Sequence, residues 1–152
     1  MSDVTRDLII RLCLATNVID ACYWKLDHSS GFSGVESCMM YALNDGKAHS
    51  QKEISENWLI PKTSLNSAVK KFEKLGYLKL EKIEGKRREK QISLTEEGKK
   101  LADISLKDMY DAETFAMKET LDKYPDLVEA LEFFADSFKS KIQDNKEDTS
   151  DE

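Results

Sequence analysis

The spacing of apolar residues predicts a chain built mostly of helices. Residues 3–28 carry apolar side chains around most of a helix circumference, with no Pro or Gly to interrupt them. Such a helix must be covered on several sides, and in a chain of 152 residues we expect a second subunit to supply part of that cover. Ser33 and Glu36 then have capping-box spacing and begin a second helix that reaches about Leu43.

A helix-turn-helix pattern follows in the middle of the chain. Ser50 and Glu53 repeat the capping-box spacing and begin a short helix that ends near Asn57. Pro61 suits the first turn of a helix over 61–75, and Gly76 suits its C-terminal cap. Two short helices joined by a few residues are typical of a helix-turn-helix.

The second half of the chain predicts a β-hairpin and two more helices. Residues 77–81 and 91–94 alternate apolar and polar side chains, which indicates two strands around a basic tip. Thr95 is expected to cap a helix that continues to about Leu121, and Pro125 starts a last helix that ends near Ile142. Residues 143–152 are acidic, contain no apolar side chain and are predicted to be disordered.

This order of elements predicts a mainly α fold with a small β-hairpin, an α+β winged helix-turn-helix with long N- and C-terminal dimerisation helices. The chain is expected to form a single domain over 1–142. The winged-helix lobe would occupy about 33–100, and the dimerisation helices about 3–28 and 101–142.

Charge is unevenly distributed along the chain. Residues 47–100 hold 14 Lys and Arg against 8 Asp and Glu, whereas the remainder holds 9 against 21, for a net charge of −6. A basic centre inside an acidic frame is a pointer to polyanion binding. The basic residues fall on the second helix of the helix-turn-helix and on the hairpin, so double-stranded DNA is the polyanion that we expect.

The outward face of helix 61–75 has the chemistry that insertion into a major groove requires. Its apolar residues fall in one arc, so hydroxyl, amide and lysine side chains lie opposite the core. Hydroxyls and amides can bond base edges, and lysines displace counterions from phosphates. The alternative is an ordinary solvated face, which the cationic hairpin makes the weaker interpretation. The predicted DNA-binding residues are Ser50, Lys52, Lys62, Thr63, Ser64, Asn66, Ser67, Lys70, Lys71, Lys74, Lys86, Arg87, Arg88 and Lys90.

Residues 33–100 resemble the MarR-type winged-helix transcriptional regulators. The resemblance is carried by residues 50–54, 61–69 and 72–78, and by Leu94-Thr-Glu-Glu-Gly98 after the hairpin. It implies a homodimeric repressor that binds a pseudo-palindromic operator, with 61–75 as the recognition helix and about 82–91 as the wing. The family's Asp-x-Arg in the wing reads Lys86-Arg87-Arg88 here, so Arg88 lacks its usual acidic partner.

The resemblance also implies that a small aromatic effector relieves repression. The candidate pocket residues are Tyr23, Trp24, Met39, Tyr41 and Tyr110. Packing in the core or in a dimer interface is the more frequent role of such residues. A cysteine-based redox sensor is a further alternative through Cys13, Cys22 or Cys38, although inert thiols are the expected state. Cys13 and Cys22 lie on opposite faces of one helix, where they cannot bond to each other.

Other classes of function have little support. The chain has no phosphate-binding loop, no nucleophile elbow and no zinc-protease motif, so neither an enzyme activity nor a cofactor is expected. His28 and His49 lack ligand spacing, so no metal is expected either. Cysteine usage, an acidic start and the lack of a long apolar run predict a cytoplasmic protein without a membrane span. A winged helix that binds other proteins is the remaining alternative, and its binding would depend less on salt.

Overall fold

The computed structural model of the chain describes residues 2–82 and 90–147, with side chains up to residue 143. Within this part, the mainly helical winged-helix fold with a small antiparallel sheet is confirmed. The elements are α1 (Asp3–Ser30), α2 (Gly34–Leu43), β1 (His49–Ser50), α3 (Gln51–Asn57), α4 (Lys62–Lys74), β2 (Leu78–Lys82), β3 (Lys90–Leu94), α5 (Glu96–Ser105), α6 (Lys107–Leu121) and α7 (Leu127–Glu147). They fall into two compact units, residues 1–110 and 111–152.

The helix starts and ends that the sequence predicts in the first unit are confirmed by their caps. The Glu36 carboxylate accepts the Ser33 N–H at 2.9 Å, and Ser33 Oγ accepts the Glu36 N–H at 3.4 Å. Ser50 and Glu53 make the same reciprocal pair at the start of α3, at 2.6 and 3.1 Å. Gly76 follows the end of α4 with a φ of +81°, a backbone conformation that glycine adopts without strain.

The core of the first unit lies between α2, α3, α4, the sheet and α5. Its side chains come mainly from the buried faces of helices that the apolar spacing identified. The buried apolar residues are Met39, Met40, Ala42, Leu43, Ile54, Ile60, Leu65, Ala68, Val69, Phe72, Leu78, Ile92, Ala102, Leu106 and Met109. No helix among the described residues is long and apolar enough to cross a membrane.

The sheet contains one strand that the sequence pattern did not predict. The order is β1-β3-β2, and both pairings are antiparallel. Ile92 of β3 lies opposite His49 on one side and Leu80 on the other, and its side chain is fully buried. A strand of two residues is too short to show alternation, so only its pairing with a distant strand reveals β1.

Two predicted helix boundaries are wrong. The helix after Thr95 is interrupted at Leu106, whose N–H contacts the Ala102 and Ile104 carbonyls and whose side chain is fully buried. No Pro or Gly marks this point in the sequence. The last helix continues past Ile142 to Glu147, because Lys, Glu and Gln sustain a helix without apolar partners. Residues 143–147 are therefore helical rather than disordered, and residues 148–152 lie outside the described part of the chain.

Two hydrogen bonds between Ser55 and Ile60 close the turn between α3 and α4. Ser55 Oγ donates to the Ile60 carbonyl at 2.7 Å, and the Ile60 N–H donates to the Ser55 carbonyl at 3.1 Å. Both residues are buried. Leu59, between them, has a φ of +51°, which is unusual for a branched side chain.

Replacing Ser55 with alanine is expected to lower the free energy of unfolding by about 1–3 kcal/mol, because the buried Ile60 carbonyl loses its hydroxyl donor. Urea denaturation monitored by circular dichroism would measure the loss. Ser64→Ala, on the exposed side of α4, is the matched control and should change stability by less than about 0.5 kcal/mol. Equal stabilities for the two variants would contradict this role for Ser55.

Candidate nucleic-acid interface

Helix α4 presents a polar face opposite the core. Leu65, Val69 and Phe72 are at most 2% exposed, which fixes the side of the helix that faces inward. At about 100° per residue, the hydroxyl and lysine side chains then lie on the opposite side. The predicted contact residues that are exposed on α4 are Lys62, Thr63, Ser64, Ser67, Lys70, Lys71 and Lys74, and Asn66 is half-buried.

Positive charge also lies at the junction of α3 and α4. Lys52 and Lys62, together with Gln51 and Leu65, line a cavity of about 210 Å³ between the starts of the two helices. Both lysines are exposed. The two cations therefore flank one depression beside the polar face of α4, an arrangement that suits a phosphate backbone running past the helix ends.

Two of the predicted hydroxyl contacts are already used within the protein. Ser50 is 8% exposed and its hydroxyl caps α3, so its side chain is largely withdrawn from any ligand. Ser67 Oγ donates to the Thr63 carbonyl at 3.0 Å but remains exposed. Because its proton is engaged, Ser67 is left as an acceptor, which would match the exposed amino groups of adenine or cytosine.

Lys71 differs from the other predicted lysines because it has a protein partner. Its Nζ lies 2.6 Å from Glu36 Oε1, and the Glu36 side chain is only 12% exposed. Burial by itself would raise the pKa of Glu36. The hydrogen bonds from Lys71 and Ser33 outweigh that effect and lower the pKa below its usual value. Glu36 is therefore a carboxylate at neutral pH, and it largely neutralises Lys71.

The base of the predicted wing carries further lysines. Lys82 of β2 and Lys90 of β3 lie directly opposite each other, and both are exposed. Two like charges at one cross-strand position repel each other, so an anion placed near them would relieve that repulsion. Lys82 was missed as a contact residue because the strand register, not the sequence, places it there. The predicted contacts Lys86, Arg87 and Arg88 lie outside the described residues.

Helix α5 is joined closely to the end of α4. Thr95 Oγ1 donates to the Gly76 carbonyl at 2.7 Å, and the Thr95 N–H donates to the Tyr77 carbonyl at 3.0 Å. Gly98 donates its N–H to Thr95 Oγ1 at 3.1 Å. A Cβ on Gly98 would overlap the Tyr77 carbonyl, so only glycine allows this approach. The Leu-Thr-x-x-Gly motif thus holds the end of the polar helix and the start of the sheet.

The residues predicted for an effector pocket are found in different surroundings. Met39 is fully buried in the core, whereas Tyr23 and Trp24 are exposed on α1. Tyr41 and Tyr110 lie together, with their ring centroids 5.2 Å apart.

Trp58, in the turn before α4, also packs on the Tyr41 ring, at 5.3 Å between centroids. The sequence analysis did not select Trp58, because nothing in its spacing indicates that it packs on Tyr41 of α2. This aromatic cluster, Tyr41, Trp58 and Tyr110, therefore links the helix-turn-helix to α2 and to the start of α6.

The cysteines are separate and unbonded. Cys13 and Cys22 are exposed on α1, and Cys38 is half-buried. Burial, and secondarily the nearby Asp27 carboxylate, raise the pKa of Cys38, which keeps it as the less reactive thiol. The described residues contain no group of three or more His, Cys, Asp or Glu that could hold a metal ion.

Comparison with known proteins identifies the fold. The sequence model of the MarR family matches residues 30–89, which include the helix-turn-helix and reach to the end of the loop between β2 and β3. This segment is a MarR-type winged helix. The element is typical of DNA-binding transcriptional regulators, and the match confirms the resemblance seen in the sequence. Among curated protein sequences, none matches the chain.

Solved structures extend the likeness beyond the matched segment. A MarR family regulator from Neisseria meningitidis is 24% identical, with a TM-score of 0.71 over 95% of this chain and 99% of its own. Reduced AbfR bound to DNA is 17% identical, with a TM-score of 0.64 over 93% and 99%. NadR in complex with 4-hydroxyphenylacetate is 21% identical, with a TM-score of 0.61 over 80% and 89%. At these identities the likeness establishes the MarR-type fold along nearly the whole chain.

Proposed function

We propose that this protein is a sequence-specific, double-stranded DNA-binding transcriptional regulator that acts as a homodimeric repressor. The observation that carries the proposal is the polar face of α4, where exposed Thr63, Ser67, Lys70 and Lys74 lie opposite a buried apolar face. Within a MarR-type winged helix, this face would enter the major groove. Thr63, Ser64, Asn66 and Ser67 would contact bases or nearby phosphates, and Lys52, Lys62, Lys70 and Lys74 would bind the backbone.

The exposed apolar surface of α1 supports the homodimer. This helix of 28 residues contains no buried side chain. Large apolar residues along it remain exposed, among them Leu8 at 55%, Leu14 at 58% and Val18 at 64%. In the second unit, α7 likewise exposes Phe133, Phe134 and Phe138. Apolar surface of this extent is unusual on a monomer, and a second copy of the chain would cover it on both units.

A small aromatic effector is part of the proposal. The structure of NadR was solved with 4-hydroxyphenylacetate, an aromatic acid, and its fold is similar to that of this chain. Here Tyr41, Trp58 and Tyr110 form a cluster between the helix-turn-helix and α2. A ligand that separated these rings would shift the position of α4 and weaken DNA binding.

The experiment that tests the proposed function is selection of genomic fragments with the purified protein. The expected result is recovery of fragments that share an inverted repeat and bind two subunits per site. Addition of 4-hydroxyphenylacetate to the selected complex then tests the effector separately. Recovery of no shared sequence, with weak binding to every fragment, would contradict the proposal and favour a winged helix that binds proteins.

Two substitutions on α4 should separate base contacts from phosphate contacts. Lys70→Ala is expected to weaken binding to the selected fragment and to random DNA by a similar factor, because a phosphate contact carries no sequence information. Asn66→Ala is expected to weaken the selected fragment alone, by about 5- to 100-fold, since a base-edge contact is worth about 1–3 kcal/mol. Fluorescence anisotropy with both DNAs measures the ratio. Equal losses on both DNAs for Asn66→Ala would show that no base is read through this residue.

A further inference from the structure

Glu36 connects two helices through its two carboxylate oxygens. Oε2 accepts the Ser33 N–H at 2.9 Å and so caps α2, while Oε1 accepts the Lys71 ammonium at 2.6 Å and so contacts α4. The residue is 9% exposed although it is an acid. Carboxylates are seldom this buried unless they are paired, so the contact with Lys71 is a condition of the packing of α2 on α4.

Lys71 lies on a different side of α4 from the neighbouring lysines. At about 100° per residue, Lys70 and Lys74 lie close to the centre of the outward face, whereas Lys71 lies on the flank, about 60° from Lys74. From that flank its ammonium reaches Glu36 on α2, and it also lies 5.5 Å from the centroid of the Phe72 ring. The side chain is therefore held by a carboxylate and by an aromatic face, both within the protein.

The pairing changes what Lys71 can contribute to DNA binding. A lysine already neutralised by a carboxylate adds little positive potential, so it displaces few counterions from DNA. If Lys71 moved to a phosphate, Glu36 would be left as a largely buried and unpaired charge, which is strongly unfavourable. Lys70 has no such partner among the described salt bridges and remains exposed.

We propose that Glu36 is a positioning residue for DNA recognition, which acts by holding Lys71 and thereby fixing α4 against α2. Lys71 is then a part of this support and not a phosphate contact. The inference rests on the proposed DNA binding and deepens it, because it assigns a role to a residue that does not touch the DNA. Base readout requires the contact groups to be held within about 0.5 Å, so loss of the pair reduces sequence preference more than general affinity.

Lys71→Met and Lys70→Met form a matched test, because the two lysines are adjacent on one helix and the substitution is the same. Affinity is measured against salt concentration for the selected fragment and for random DNA of equal length. Lys70→Met is expected to reduce the slope of log K against log salt by about 0.9 per subunit. Lys71→Met is expected to leave the slope unchanged and to lower the ratio of selected to random affinity by about tenfold. The ratio does not depend on the folded fraction, since both DNAs meet the same sample.

Two further variants keep the test decisive. Lys71→Arg retains a cation that can reach Glu36, so it should restore the wild-type ratio. Glu36→Gln removes the charge but keeps the shape, so it should lower the ratio while the salt slope stays equal or becomes steeper, because Lys71 is released. If Lys71→Met instead lost as much slope as Lys70→Met with an unchanged ratio, Lys71 would be a phosphate contact and the inference would be wrong.

The proposed function and this inference fail in different ways. A wild-type protein that binds neither DNA would overturn both. Binding by the wild type, together with the expected loss of slope for Lys70→Met, would support DNA binding on its own. With that result in hand, the Lys71 and Glu36 variants decide the positioning role alone.

Discussion

Gly98→Ala is expected to lower the free energy of unfolding by about 3 kcal/mol, the upper end of the usual cost of overpacking. A Cβ at this position would overlap the Tyr77 carbonyl oxygen and carbon, which belong to the backbone and cannot rotate away. The same carbonyl accepts the Thr95 N–H, so any shift also weakens the cap of α5. Helix propensity alone would favour alanine by about 1 kcal/mol, so the two effects have opposite signs.

Thermal and urea denaturation of Gly34→Ala provides the matched control for Gly98→Ala. Gly34 also lies in the first turn of a helix, but a Cβ there would meet only the end of the Asp27 side chain, at 3.2 Å. This variant should have nearly wild-type stability, because the Asp27 side chain can move. A Gly98→Ala protein as stable as Gly34→Ala would show that the junction of α4, β2 and α5 is looser than its contacts indicate.

Leu14→Glu or Val18→Glu on α1 is expected to raise the dimer dissociation constant at least about 100-fold. In the proposed homodimer each substitution places two carboxylates, one per subunit, in an apolar contact, and burial of an unpaired charge costs several kcal/mol. Both side chains are exposed in the single chain, so the monomer should stay folded. Sedimentation velocity measures the shift to monomer, and anisotropy should show a matching loss of affinity for the selected fragment.

Thr16→Glu is the control for these α1 substitutions, because it adds the same charge to the same helix on a more polar side. Its dissociation constant should stay within a few-fold of the wild type. If Leu14→Glu and Val18→Glu remained dimers at the wild-type concentration, α1 would not form the dimer contact, and the second copy would have to be held elsewhere.

Local signals account for the parts of the fold that the sequence predicted. A capping box involves residues three positions apart, so Ser33 and Ser50 marked helix starts that the structure confirms. The end of α4 at Gly76 is similarly local, since the glycine itself supplies the left-handed conformation. The polar face of α4 followed from periodicity alone, because the buried arc fixes which side chains face outward.

Long-range contacts account for what the sequence did not predict. Strand β1 exists because His49 pairs with Ile92, far along the chain, and its two residues carry no pattern of their own. The periodicity placed Lys71 on the exposed flank of α4, but its partner Glu36 lies 35 residues earlier and is set by the packing of α2 on α4. The break at Leu106 also has no local signal, because it coincides with burial of that side chain in the core.

The most direct test of DNA binding through α4 is the salt dependence of wild-type affinity for the selected fragment, measured at two subunits per site. With about three or four lysine contacts per subunit and a slope of about −0.9 for each, log K should fall against log salt with a slope of about −6. That result would show that lysines on the polar face meet phosphates. A slope close to zero, with affinity maintained at high salt, would contradict the proposed regulator and favour an apolar contact with another protein.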